Sequence, residues 1–140
     1  MRNIIVISYI LVVIALSGCG GGNSKTASRN NTTGTSEISF REYEHDFGKV
    51  AEGEKLSYIF IFDNKGKSDL IVSSASTTCG CTVPKYDAKP ISPGANGKIE
   101  VVFDTSGRSG MQTKTITVKS NASKPVVLLK ITAEVITNDK

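Results

Sequence analysis

Two cysteines separated by one glycine, within Thr77-Thr78-Cys79-Gly80-Cys81-Thr82, are the residues of this chain best suited to chemistry. In an extended backbone alternate side chains share a face, so the two thiols are neighbours. A disulfide between them closes a very small ring, and alternate residues of a flat strand stand near the upper limit of the Cα separation a disulfide tolerates. Gly80 lets the chain bend and shorten that distance. A strained bridge of this kind is easily reduced, which suits redox activity more than a structural staple. Reduced, the pair Cys79 and Cys81 offers soft ligands to Cu(I), or half of a zinc site. A complete zinc site needs two more ligands, and His45, far away in sequence, is one conceivable source. Cysteine is also among the most buried residue types, and a buried thiol with no chemical task fits the same segment. Structural thiols or a plain intrachain disulfide, redox or Cu(I) chemistry, and docking of a partner all stand as readings of the pair.

The third cysteine sits in a different setting. Arg2 forms a short positive start, Ile4 to Leu16 is hydrophobic apart from Ser8, and Leu16-Ser17-Gly18-Cys19 follows at once. The run is shorter than the ~18 to 20 residues of a permanent membrane span and suits a secretory leader. Leu16-Ser17-Gly18-Cys19 resembles the bacterial lipobox. That resemblance implies diacylglyceryl transfer to the Cys19 sulfur, cleavage after Gly18 and acylation of the new amino terminus. More than one acyl chain makes anchoring in a bilayer stable. Residues 1–18 are therefore read as the signal peptide. Residues 19–36 are the lipidated cysteine and a flexible tether, because Gly20 to Ser36 holds no apolar side chain larger than Ala27 and cannot offset its own ordering entropy. With Cys19 acylated, two cysteines remain, an even number for a compartment where disulfides persist. No acidic cluster follows Cys19, and the protein is expected to face the periplasm.

At 140 residues the chain has room for one domain, and 21% charged residues with a net charge of +4 describe an ordinary surface. The lysines are scattered, not grouped with aromatics, which argues against nucleic acid. With one histidine, no Gly-x-Ser-x-Gly elbow and no His-Glu-x-x-His helix, the chain carries no catalytic constellation and is expected to be neither an enzyme nor a cofactor protein. Glu42, Glu44 and Asp46 read as a polar strand edge. His45 reads as a hydrogen-bonding loop residue at one end of the fold, with Phe47 and Val50 plugging the core and Gly48 and Gly53 at turns.

Beyond the tether the hydrophobic period is two. Ile38 and Phe40 begin a first strand. From Glu54 to Asp63, Leu56, Tyr58, Phe60 and Phe62 share one face and Ile59 and Ile61 the other, which predicts a central strand with both faces at least partly covered. Asp63-Asn64-Lys65-Gly66 predicts a turn in which asparagine and glycine tolerate left-handed angles. A strand follows from about Asp69 to Ala75, and a short one through Lys85, where Pro84 predicts an edge or an irregular end. Ile99, Val101 and Phe103 then face inward. Ile116 and Val118 do so on the next strand, beneath an outer face of Thr113, Thr115, Thr117 and Lys119. Val127, Leu129, Ile131, Ala133 and Val135 form the last inward row, with Val126 and Leu128 on a second apolar patch. About seven antiparallel strands over residues 37–137, before a tail at 138–140, predict an all-β, immunoglobulin-like sandwich.

The motifs His45-Asp46-Phe47-Gly48-Lys49-Val50, Gly53-Glu54, Tyr58 to Asn64, Thr78-Cys79-Gly80-Cys81-Thr82 and Pro93-Gly94 occur in an order that resembles the bacterial domain-of-unknown-function 1573 (DUF1573) family. The resemblance runs from about Phe40 to Val135. It implies an immunoglobulin-like sandwich, frequent export as a lipoprotein, and no established activity. The expected function is binding or accessory interaction at the cell envelope. The bilayer holds acylated Cys19, and an envelope protein or glycan is the partner.

Overall fold

The computed structural model describes residues 34–137; the leader at 1–18, Cys19, the tether up to residue 33 and the tail at 138–140 lie outside them. Eight strands form: β1 Ile38–Phe40, β2 Glu44–Ala51, β3 Lys55–Asn64, β4 Val72–Thr77, β5 Thr82–Tyr86, β6 Asn96–Asp104, β7 Gly110–Ser120 and β8 Val126–Ile136. They make two four-stranded sheets, ordered β1-β3-β6-β5 and β2-β8-β7-β4. This is the immunoglobulin-type sandwich that the two-residue period predicts.

The rows predicted to face inward do so. In the first sheet Phe60 stands opposite Ile99, and in the second Ile116 stands opposite Leu129. Phe60, Phe62, Phe103, Leu70, Ile99, Ile116, Leu129 and Ile131 are fully buried between the sheets. Each contributes roughly 1.5–3 kcal/mol on leaving water, which is what offsets the entropy of ordering the chain. Pro84 lies in β5, an edge strand, where its missing N–H interrupts no central ladder.

The count is eight because the chain's first strand is split between the sheets. Arg41 N donates to Ile61 O as the last bond of the first sheet, and Lys130 N donates to Tyr43 O as the first of the second. β2 then runs parallel to β8, the one parallel pair among the described strands. Its register shifts between Asp46 and Lys49, where Gly48 takes φ +69° and its N–H donates to Asp46 Oδ1 at 2.9 Å. A left-handed glycine inside a strand marks a bulge, and in the sequence it reads as a turn. His45 therefore lies within a strand, not in an end loop.

Three further positions are defined by the structure. Asn64 has no left-handed backbone, since no residue other than glycine has positive φ among the described residues. Its value is its side chain, which is fully buried and polar. β3 is central and its second face is only partly covered, as expected: Ile59 is 46% and Ile61 37% exposed. Gly34 to Ser36, assigned to the tether by composition, are docked on the domain. Lys67 N donates to Thr35 O at 3.0 Å, and the buried Ser36 hydroxyl donates to Asn121 O at 3.0 Å.

Candidate functional site

β4 belongs to one sheet and β5 to the other, so the four residues between them, Thr78 to Cys81, carry the chain across the end of the sandwich. Cys79 and Cys81 lie in this crossover and are joined by a disulfide, with their Cα atoms 5.4 Å apart. The backbone there is a turn and not the extended strand expected from alternation, which brings the Cα atoms well inside disulfide range. Gly80 has no left-handed φ, and nothing lies within 4 Å of where its Cβ would stand. The turn's outer side is open to solvent.

Both flanks of the turn are pinned. The Thr77 hydroxyl is shared between Cys79 O at 2.9 Å and Thr82 O at 2.8 Å. Asp104 N donates to Cys81 O at 2.9 Å. Both cysteines are half-buried, and Cys81 packs against the hydrophobic core. The Thr82 hydroxyl is buried and lies 3.7 Å from Cys79 Sγ and 3.8 Å from Cys81 Sγ. A disulfide sulfur carries no proton, so the hydroxyl is the donor. It makes no other hydrogen bond among the described residues.

Closing so short a loop stabilises little. The chain-entropy relation gives about 1.5 kcal/mol for a three-residue loop, against about 4.7 kcal/mol for one of 100 residues. The bond joins neighbours that the backbone already holds. In the disulfide neither sulfur is a thiolate, so a soft-metal site on Cys79 and Cys81 requires their reduction. No group of three or more histidine, cysteine, aspartate or glutamate side chains converges among the described residues. His45 is occupied elsewhere, its ring stacked on Tyr58 with centroids 3.5 Å apart.

Lys114 is a neighbour that the sequence reading passed over. It follows the inward parity of Ile116 and Val118, and Ile116 is the register partner of Thr77, so Lys114 stands at the crossover end of the sandwich. Its Nζ lies 5.7 Å from the centre of the Phe103 ring, and Phe103 is the register partner of Thr82. Burial pushes the Lys114 ammonium below the usual lysine range, and the Arg108 guanidinium adds to the shift. The parity of the strand was the available signal. Thr82 carried none, because an ordinary threonine in a β stretch says nothing about which atoms its hydroxyl meets.

A second feature lies between the sheets along β2. His45, Phe47, Tyr58 and Phe60 form a run of aromatic contacts, and the Tyr58 hydroxyl donates to Glu42 Oε2 at 2.7 Å. That hydrogen bond, then burial and the Glu42 charge, raise the Tyr58 pKa above 10.0. The folded state thus holds its proton to higher pH than the unfolded chain. The stability this adds is complete below pH 10.0 and is lost as pH rises through the folded value. In a difference ultraviolet titration against Tyr58→Phe, the Tyr58 phenol is expected to ionise above the free value, and Glu42→Gln to bring it back. An unchanged curve in Glu42→Gln would refute the assignment.

The outer face of the first sheet carries a groove of about 450 Å³ lined by Ile59, Ile61, Ile91, Asp87, Lys89 and Lys98. β1 covers β3 only at Phe62, Asp63 and Asn64, so the preceding residues of β3 have no strand partner on that side, the side away from β6, whose Lys98 lines the groove.

By sequence profile, residues 38–135 match the family described as protein of unknown function, DUF1573. The chain belongs to the DUF1573 family. The match covers both sheets and the Cys79–Cys81 crossover, as the order of motifs implied. No curated protein matches this DUF1573 chain by sequence. Among solved structures it is similar to a protein of unknown function from Porphyromonas gingivalis W83, with 21% identity and a TM-score of 0.60. That similarity covers 72% of this chain and 46% of the other, so the DUF1573 chain spans about half the length of that relative. It is similar also to the ASH/PapD-like domain 7 of human CEP192, at 12% identity and TM-score 0.62, covering 75% of this chain and 89% of that one. The secreted serine protease VesC of Vibrio cholerae contains a similar portion, at 14% identity and TM-score 0.55, covering 70% of this chain and 23% of the protease. At these identities the likeness is one of fold.

Proposed function

We propose that this DUF1573 protein is an exported lipoprotein, held at the envelope by acylated Cys19 and facing the periplasm. Its immunoglobulin-like domain binds an envelope protein or glycan and performs no catalysis. The observation that carries the binding reading is the open second face of β3, where Ile59 and Ile61 leave apolar surface in water beside an unpaired strand edge. Immunoglobulin-type sheets take partners by strand addition at such an edge, with alternate side chains filling pockets beside it. A tether at 19–33 gives the domain reach from the bilayer.

Cell fractionation tests the anchor. The wild-type protein is expected in the membrane fraction with an intact mass that includes acyl chains, and Cys19→Ser is expected in the soluble fraction without them. A membrane-bound Cys19→Ser protein, or an unmodified wild type, would overturn this part. Pull-down from envelope extract tests the face. One defined partner is expected with wild type and with the Cys79→Ser/Cys81→Ser double variant, and is expected to be lost with Ile59→Lys/Ile61→Lys. Capture that ignores the isoleucines would remove the groove from the account.

A further inference from the structure

Four observations about the crossover suit a disulfide that opens and closes. The bond links near neighbours already pinned on both sides, and so does little as a staple. It sits at the end of the sandwich with open space over Gly80, where another chain can approach. The two sulfurs are unequal, since Cys81 packs on the core and Cys79 is not part of that packing. Beneath both lies the buried Thr82 hydroxyl, with no other hydrogen-bond partner among the described residues. A hydroxyl donates far more strongly to a thiolate than to a disulfide sulfur, so this arrangement favours the reduced, charged form.

We propose that Cys79–Cys81 is a thiol–disulfide exchange site that takes two electrons from the paired cysteines of a protein substrate. A substrate thiolate attacks Cys79 Sγ, forming a mixed disulfide. The Cys79–Cys81 bond breaks, and its electron pair leaves on Cys81 Sγ as a thiolate, which receives the Thr82 hydroxyl bond. A second substrate thiolate then attacks the substrate sulfur of the mixed disulfide and releases the Cys79 thiolate. The two protons lost by the substrate thiols are matched by those the loop thiolates take up. The substrate ends as a disulfide and the loop as a dithiol. Glutathione disulfide, or another disulfide of that class, returns the loop to its oxidised form. Thr82 is a positioning residue, and Lys114 supplies a cation at the same end of the fold. The proposal is independent of the binding face on β3, whose pull-down uses a variant without these cysteines.

The test uses the full-length acylated protein in detergent micelles and a synthetic peptide carrying two reduced cysteines. Mass spectrometry after acid quenching is expected to show the peptide losing two hydrogens as the protein gains two. Cys81→Ala, first converted to its mixed disulfide with glutathione at Cys79, is expected to release glutathione and form a Cys79–peptide mixed disulfide, which the second peptide thiol then resolves. In glutathione buffers Thr82→Val is expected to lower the equilibrium constant for reducing the pair by about tenfold, which is about 30 mV for a two-electron couple. Thr82→Ser, which keeps the hydroxyl, is expected to restore it. Circular dichroism of each variant identifies any that fails to fold. A disulfide that stays closed with the peptide and throughout the glutathione series would overturn the proposal. An unchanged potential in a folded Thr82→Val would overturn the role given to the hydroxyl.

Discussion

Replacing Asn64 with alanine is expected to lower the unfolding free energy by about 3–5 kcal/mol, a large share of the ~5–15 kcal/mol typical of a domain. The Asn64 amide is fully buried and joins three segments at one end of the sandwich: the approach to β1, the turn after β3 and the loop at Ile91. Its Nδ2 donates to Ser68 O and Ile91 O, each at 2.8 Å. Its Oδ1 accepts from Gly66 N at 3.0 Å and from Glu37 N at 3.4 Å. Alanine removes all four bonds; Ile91 O keeps the bond from Leu70 N, while Ser68 O, Gly66 N and Glu37 N lose their side-chain partner, at about 1 kcal/mol or more for each left unpaired. Chemical denaturation reads the loss directly, and a loss below about 1 kcal/mol would show that the network contributes little.

Asn64→Asp separates shape from donor capacity. A carboxylate has the right size but cannot donate, and it faces two carbonyl oxygens. Burial and those oxygens raise its folded pKa above the ordinary value of about 3.9. A raised folded value means the variant is least destabilised below that pH, where the protonated acid donates one of the two bonds. It loses stability as pH rises through the folded pKa. Denaturation midpoints that do not fall with rising pH relative to wild type would contradict this.

Gly66→Ala is expected to cost about 2–3 kcal/mol, although it adds one methyl group to a half-exposed turn. The difficulty is space. A Cβ at Gly66 would stand 2.5 Å from Glu37 N and 2.6 Å from Ser36 Cα, and would overlap Thr35 O. All three are backbone atoms, which cannot rotate aside as a side chain can. The segment leading into β1 must move, and with it the bonds from Lys65 N to Glu37 O and from Lys67 N to Thr35 O. Ile38 and Phe40, which β1 inserts in the core, then pack less well. Amide exchange at Lys65 and Lys67 is expected to accelerate with the loss of stability. Wild-type stability with both amides still protected would show that the turn has room after all.

The amount of this that was legible beforehand differed from element to element. The row Val127, Leu129, Ile131, Ala133 and Val135 announced its buried face, because strand geometry turns every second residue the same way whatever lies opposite. β2 did not announce itself: its outward residues are Glu44 and Asp46, its inward ones His45 and Phe47, and Gly48 breaks the run with a bulge. What makes it a strand is β8, more than eighty positions away, which supplies the other half of its ladder. Ile59 and Ile61 were legible only in part: their side of β3 read as at least partly covered, and it is the structure that leaves 46% and 37% of them in water.

Read alone, the 140 residues determined the all-β class, the inward rows, the edge position of Pro84 and the adjacency of Cys79 and Cys81. Each of those follows from backbone geometry acting over a few neighbouring residues. Only the tertiary structure decided that Asn64 knots three segments together, that the Thr82 hydroxyl serves two sulfurs, that Lys114 stands near the crossover and that one face of β3 meets water. Those are properties of partners brought together from distant positions, and spacing along a chain carries no record of which distant atoms will fill the space beside a side chain.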